Sequence, residues 1–310
     1  MNPFINDVVA AFGQVATHGT AIDIDRKGVS LPPGGHFQGI QRMPGEPPVL
    51  VITSSSTEKG YFVECDMEIK EHKGHARHPR TMATTAMDPP FNHAGGCQAF
   101  GHFLVAGLEN SNTETNSEIQ FWDFSGVPEK RPMTIPRPGS GHKHTAGAVG
   151  ITSFERGTAL AVATFNADTV DFLTSEADPF NGSPFKRHFT WAKDKAHKKG
   201  WIDQNFGEYQ SINLITQADG QLFMVGCNRS GHSDWMDLYS VNLHAKAESA
   251  LTKLAKRHMY CTKEVGFDGG TGIFIPSPAG FEVFAVGLYS GDHVTGTTIY
   301  VNHFAATDVG

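Results

Sequence analysis

The chain has 310 residues, 39% of them apolar and 18% charged, with 34 glycines and 17 prolines. That composition describes a turn-rich chain with ample material for a core, and so low a charged fraction suits strands better than helices. A net charge of −7 argues against a basic nucleic-acid surface as the main function, and no apolar run approaches the length of a membrane span.

The N-terminal stretch "MNPFINDVVAAFGQVATHG" lacks a basic leader region. Its apolar residues Phe4, Ile5, Val8, Val9 and Phe12 are spaced for one face of a short helix, so a packing helix is expected rather than a signal peptide. The expected location is cytoplasmic. Four cysteines (Cys65, Cys97, Cys227, Cys261) are scattered without a CxxC pair and read as isolated thiols in a reducing compartment. Sixteen histidines are the one feature of the composition that points toward chemistry.

Past the N-terminus, short Val/Ile/Phe/Leu runs recur. A strand led by a basic residue, Arg26 to Leu31, comes first. A Gly-rich run then opens each unit: "HFQGIQ" (36–41), "HAGGCQ" (93–98), "HTAGAV" (144–149), "YQSINL" (209–214) and "DGGTGI" (268–273). A nearly continuous apolar run follows each: "VLVITSS" (49–55), "FLVAGLEN" (103–110), "ALAVATFN" (159–166), "LFMVGCNR" (222–229) and "VFAVGLYS" (283–290). Such runs mark strands buried on both faces. Third strands with looser alternation come next, such as "IQFWDF" (119–124). Fourth elements start on a basic residue: "RTMAT" (80–84), "RPMTI" (131–135), "RHFTW" (187–191) and "RHMYC" (257–261).

This gives four complete units and a fifth lacking its last strand, which residues 26–31 would supply from the other end of the chain. The pattern resembles a five-bladed β-propeller. It implies an all-β single domain with blades at about 36–84, 93–135, 144–191, 209–261 and 268–304 plus 26–31. No WD or kelch signature assigns a named repeat family. A pair of β-sandwiches is the rival architecture, but it explains neither the five-fold register nor the N-terminal strand. Gly39, Gly96, Gly147 and Gly272 fit a crowded axis. Two insertions interrupt the fourth unit: a lysine-rich loop at 192–209 and the helix-like "LHAKAESALTKLAKRH" (243–258), with Leu251 and Leu254 on one face.

In a propeller, the loop entering each innermost strand and the loop leaving each second strand share one face. The first loop would contribute His36, His93, His144, Tyr209 and Asp268. The second would contribute Ser54, Ser55, Glu109, Asn110, Asn166, Asp168, Asn228, Arg229, Tyr289 and Ser290, flanked by His142, Glu208, Asp292 and His293. A small-molecule substrate is expected there, with no nucleic acid and no membrane as partner; nothing bears on oligomeric state.

Two chemistries fit. His36, His93 and His144 with a nearby Glu109, Glu208 or Asp268 match ligand sets for a divalent metal: Zn²⁺, or non-haem Fe²⁺ or Mn²⁺. Carotenoid oxygenases, which hold iron with inward histidines from propeller blades, are similar in that respect, although they are much longer and have seven blades. Without a metal, His93 or His144 would act as acid or base, partnered by Glu109, Glu208 or Asp268, with Tyr209 and Arg229 stabilising negative charge. Several five-bladed glycosidases place three carboxylates at this opening, and that resemblance implies the role for Asp268, Glu109 and Glu208. For sugar stacking, Trp201, Trp235 and Tyr289 are candidates, while Trp122 and Trp191 read as packing residues. The expected activity is a hydrolase, lyase or isomerase; the competing reading is a lectin-like or protein-interaction propeller without catalysis. Ser140 in "GSGHKH" and the histidines of "EHKGHARH" (71–78) read as ordinary loop residues.

Overall fold

A computed structural model of the protein describes residues 4–26, 29–68, 71–72, 75–76, 79–113, 116–139, 141, 144–181, 183–289 and 296–306. Ser140, His142, His78, Ser290, Asp292 and His293 lie outside the described residues, as do the side chains of His72 and His75.

Apart from a helix over Val8–Gln14 and short 3-10 turns, the chain is all-β. Besides a two-stranded hairpin, Glu71–His72 with His75–Ala76, the described strands form five antiparallel meanders of four. The first comprises Phe37–Met43, Val49–Ser54, Tyr61–Asp66 and Arg80–Ala86. The second comprises His93–Phe100, Phe103–Glu109, Asn116–Asp123 and Glu129–Pro138. The third comprises Ala148–Phe154, Gly157–Ala163, Thr169–Ser175 and Lys186–Ala192. The fourth comprises Ser211–Thr216, Leu222–Ser230, Ser233–Val241 and Leu251–Met259. The fifth comprises Thr271–Ser277, Gly280–Val286 and Thr298–Phe304, completed by Thr20–Asp25 from the start of the chain. Single parallel pairings, Asp25↔Arg80 and Ala148↔Gly96, link the fifth meander to the first and the second to the third, giving two eight-stranded sheets and one of four.

Burial follows position within a meander. Every residue of Phe103–Glu109 is buried, as the continuous apolar runs predict, whereas the fourth strand Glu129–Pro138 is exposed or half-buried throughout. The core divides into five apolar clusters, each built from two successive meanders. One of them packs Ile24, Phe37, Ile52 and Tyr61 against Phe284 and Val301, so the last meander meets the first. Ile5, Val8, Ala11 and Phe12 join the cluster between the fourth and fifth. Asp7 caps the helix by accepting the Ala10 N–H at 2.9 Å, and Arg257 donates to the Phe12 and Gly13 carbonyls at its other end. Phe4 and Val9, expected on the packed face, are about half exposed.

Three expectations about the strands need correction. The closing strand is Thr20–Asp25, not residues 26–31. Its Ile22 and Ile24 alternate with Asp23 and Asp25 in register with Thr298–Phe304, and the strand ends where the Arg26 N–H reaches the Thr297 carbonyl. The helix-like stretch 243–258 is a 3-10 turn, Ala247–Ser249, followed by the strand Leu251–Met259. Pairing along Ser233–Val241 overrides its helical composition. The innermost strands also begin at different distances from their polar lead residues: His93 opens its strand and His36 adjoins Phe37, but a loop separates His144 from Ala148.

Where the innermost strands converge, their free edges turn backbone groups toward one another, and buried amide side chains pair them. Gln98 Oε1 accepts the N–H groups of Ile151 (2.7 Å) and Leu214 (2.8 Å), while its Nε2 donates to the Leu214 carbonyl at 2.9 Å. Gln41 Nε2 donates to the Cys97 carbonyl and to Asn213 Oδ1, both at 3.1 Å, and Asn213 Oδ1 also accepts from the Ile273 N–H. Three side chains thereby tie all five meanders at the axis. The space is tight: a Cβ at Gly272 would stand 1.7 Å from the Ile40 carbonyl oxygen, and one at Gly96 2.6 Å from that of Gln210. Gly147, expected in the same set, has nothing closer than 3.4 Å.

The seam made by the N-terminal strand carries one testable charge effect. Glu282 Oε2 lies 3.0 Å from Nε2 of His303, whose ring stacks on Phe284. Hydrogen bonding to His303 holds the Glu282 carboxyl below the usual range. A depressed folded-state value contributes stability above the unfolded carboxylate pKa, and that stability is lost as pH falls through the folded one. Glu282→Gln should therefore lower stability by about 1 kcal/mol at pH 7. The deficit should shrink toward pH 3; thermal melts showing an equal deficit at both pH values would refute it.

All four cysteines are free, three of them buried and Cys261 partly so, and burial pushes the Cys97 and Cys227 thiols up to about 12. No helix among the described residues is long and apolar enough to cross a membrane.

Candidate functional site

A cavity of about 620 Å³ opens where the innermost and second strands of the meanders meet. His93 opens its strand and is registered opposite Glu109, the last residue of the neighbouring one. Both face the cavity and both are largely buried. His93 Nδ1 lies 3.1 Å from Glu109 Oε1, close enough for an ion pair but off the angle of a hydrogen bond, which leaves the buried Nδ1 without one. The other carboxylate oxygen accepts the Ala146 N–H at 3.2 Å, anchoring Glu109 to the third meander's entrance.

His36 joins them on the cavity wall, its ring edge-on to His93 at 5.8 Å and tilted to Tyr289 at 6.0 Å. Its backbone N–H donates to Ser55 Oγ at 3.0 Å. Asn92 sits beside the dyad, and its Oδ1 accepts the Ser111 N–H at 2.9 Å. Asp268 also lines the cavity, held 3.4 Å from Arg229 Nη1.

Other expected members are placed differently. His144 is outside the cavity lining; its carbonyl accepts from Ser117 Oγ and its ring lies against Gly139. Arg229 is spanned between Asp268 and Asp234 rather than turned to the cavity. Tyr209 reaches the cavity wall, but its hydroxyl donates to Asp237 Oδ2 at 2.6 Å and lies 2.5 Å from the Tyr239 hydroxyl. Burial first, then the neighbouring Tyr239 and Asp237, raise the Tyr209 phenol well above its usual value, so it stays neutral. Glu208 is exposed and outside the lining, so the carboxylate trio is not assembled.

The three-histidine metal site is not assembled either. Among the described residues no group of three His, Cys, Asp or Glu side chains is close enough to hold a metal. Of the three histidines expected to hold Zn²⁺, Fe²⁺ or Mn²⁺, His36 and His93 share the cavity lining and His144 does not.

Aromatic candidates divide similarly. Trp201 is buried among Trp191, Phe206 and Tyr239, Trp235 stacks on His258, and Trp122 and Trp191 pack inside as expected. Tyr289 is exposed beside His36. Phe165, missed by sequence reasoning, stands 45% exposed on the cavity rim. It ends an apolar run that reads as strand, but the strand stops at Ala163 and Phe165 begins a 3-10 turn in which Asn166 and Ala167 have positive φ (57° and 53°).

No family model matches the chain, and no curated protein does. Solved structures do. The α-L-arabinofuranosidase PaAbf62A from Podospora anserina, in complex with cellotriose, shares 7% identity over 94% of this chain and 97% of its own, with a TM-score of 0.52. The PQQ-bound aldose sugar dehydrogenase from Streptomyces coelicolor shares 13% over 89% and 82%, with a TM-score of 0.41. The phage phi92 endosialidase shares 9% over 94% and 70%, at 0.43. The neighbours are β-propeller enzymes and domains, and the fold is consistent with a propeller. At such identities the likeness is one of fold, and of these three the arabinofuranosidase carries it.

Proposed function

We propose that the chain is a single-domain, five-bladed β-propeller, each meander one blade, and an enzyme acting on a small hydroxyl-rich molecule, a sugar or sugar derivative. The reaction is a proton transfer of the hydrolase, lyase or isomerase type. The observation that carries this reading is the His93–Glu109 contact at 3.1 Å on the cavity wall. An imidazole with a carboxylate at one nitrogen and a cavity beside it is the arrangement of a general acid–base pair. Asn92, Ser55 and Asn110 supply the amides and hydroxyl that a polyol would pair with. The arabinofuranosidase among the structural neighbours agrees with this substrate class.

The test is to incubate the protein in D₂O with a panel of sugars, sugar lactones, uronic acids and aryl glycosides, and to follow substrate loss and deuterium uptake by NMR. Turnover should fall about 10²–10⁴-fold in His93→Gln and in Glu109→Gln. Variants as active as the native protein, or a panel left entirely unchanged, would defeat the proposal. Sugar binding without turnover by the native protein would transfer the site to a ligand-binding propeller.

A further inference from the structure

We propose that the ligand is an oligosaccharide of two or more residues, running from this cavity across Phe165 into a second cavity on the third meander; the inference rests on the carbohydrate reading above. The second cavity, about 830 Å³, shares Thr164 and Phe165 with the first and continues along Asp168, Thr190, Ala192 and Lys193. Both volumes lie in the range of about 300–1,000 Å³ typical of small-molecule sites.

The wall between them is built to hold an aromatic ring outward. Phe165 is followed by two non-glycine residues in the left-handed region, Asn166 at φ 57° and Ala167 at φ 53°. Asparagine tolerates that conformation, but alanine adopts it only when its surroundings hold it there, and such residues concentrate at ligand sites. Here the enforcement is visible: Thr145 Oγ1 accepts the Phe165 N–H at 2.7 Å, the Ala167 N–H donates to the Thr164 carbonyl at 2.8 Å, and Thr164 Oγ1 accepts the Thr169 N–H at 3.1 Å. One exposed aromatic residue alone would need no explanation. A clamped one forming the shared wall of two adjoining cavities does, and an aromatic face suits the C–H face of a sugar ring bridging them. Charges in the second cavity balance, Asp168 and Asp194 against Lys193 and Lys195, which matches a neutral glycan rather than an ionised one.

The probe is an array of labelled neutral pentose and hexose glycans of one to six residues, followed by calorimetry on the tightest oligomer. The native protein should bind oligomers at least tenfold more tightly than their monomer. Phe165→Ala, which alters the wall of both cavities, should remove about tenfold of oligomer affinity and weaken monomer binding less, with Phe165→Tyr restoring both. Ala192→Trp, which narrows the second cavity without altering Phe165, should reproduce the selective loss. Equal affinity for monomer and oligomer, or length dependence that survives both variants, would overturn this inference while leaving the sugar-binding site intact. Capture of no glycan at all would overturn both.

Discussion

Replacing Gln98 with leucine is expected to destabilise the protein by about 3 kcal/mol or more, because three buried backbone groups lose their partner for about 1–3 kcal/mol each. The side chain is 1% exposed, so water does not replace it. Its amide accepts from Ile151 of the third meander and from Leu214 of the fourth, and returns a donor to the Leu214 carbonyl. Apart from the single Gly96–Ala148 pairing, the innermost strands have no ladder neighbour on their inner side, so their edge groups must be paired by something else. Leucine conserves volume approximately and supplies none of this. Urea unfolding should show the lower midpoint without a change in slope; a loss below about 1 kcal/mol would mean that water already serves these groups.

Lys253→Met should cost about 3–5 kcal/mol, the usual loss when one partner of a buried ion pair is removed. Lys253 is fully buried, and its ammonium lies 2.8 Å from Asp237 Oδ2, 3.1 Å from Asp203 Oδ1 and 3.0 Å from the Asn205 carbonyl oxygen. Asp237 is 2% exposed and also accepts from Tyr209. Burial raises the Asp237 carboxyl above its usual value, with Lys253 opposing the rise. A raised folded-state value means the folded protein favours the protonated form, so ionising this group costs stability as pH increases. Removing Lys253 takes away the opposing charge, so the variant should recover part of its deficit between pH 7 and pH 5. A deficit independent of pH over that range would show that the loss comes from packing rather than from charge. Because Tyr209 lines the cavity, the same variant tests whether this network positions the wall: native-like sugar affinity in the folded variant would confine it to stability.

Much of the architecture was legible because strands buried on both faces write continuous apolar runs. Three second strands match the runs 49–55, 103–110 and 222–229, while the third and fifth, Gly157–Ala163 and Gly280–Val286, begin and end earlier than 159–166 and 283–290. Closure by an N-terminal segment was legible too, but its register was not. A basic residue at the start of other fourth strands favoured Arg26–Leu31, whereas the alternation in "TAIDID" was the signal that mattered. Lys253 shows the opposite failure: a lysine in a helix-forming stretch reads as solvent-facing until pairing along Ser233–Val241 places it inside.

At the site, the sequence by itself paired His93 with Glu109, since a tight hairpin leaves the ends of its two strands side by side, but it also expected His144, Glu208 and Arg229 at an opening whose lining does not include them. Only the tertiary structure decided which of the histidines meet. His36 and His93 adjoin their strands and converge, while the longer loop before Ala148 takes His144 elsewhere. It also decided that the Tyr209 hydroxyl turns to Asp237 and that Phe165 turns out to solvent. Strand burial is written in local periodicity, whereas the direction of a side chain at a loop depends on backbone dihedrals and on partners tens of residues away, such as Asp237 for Tyr209 and Thr145 for Phe165, which no local pattern encodes.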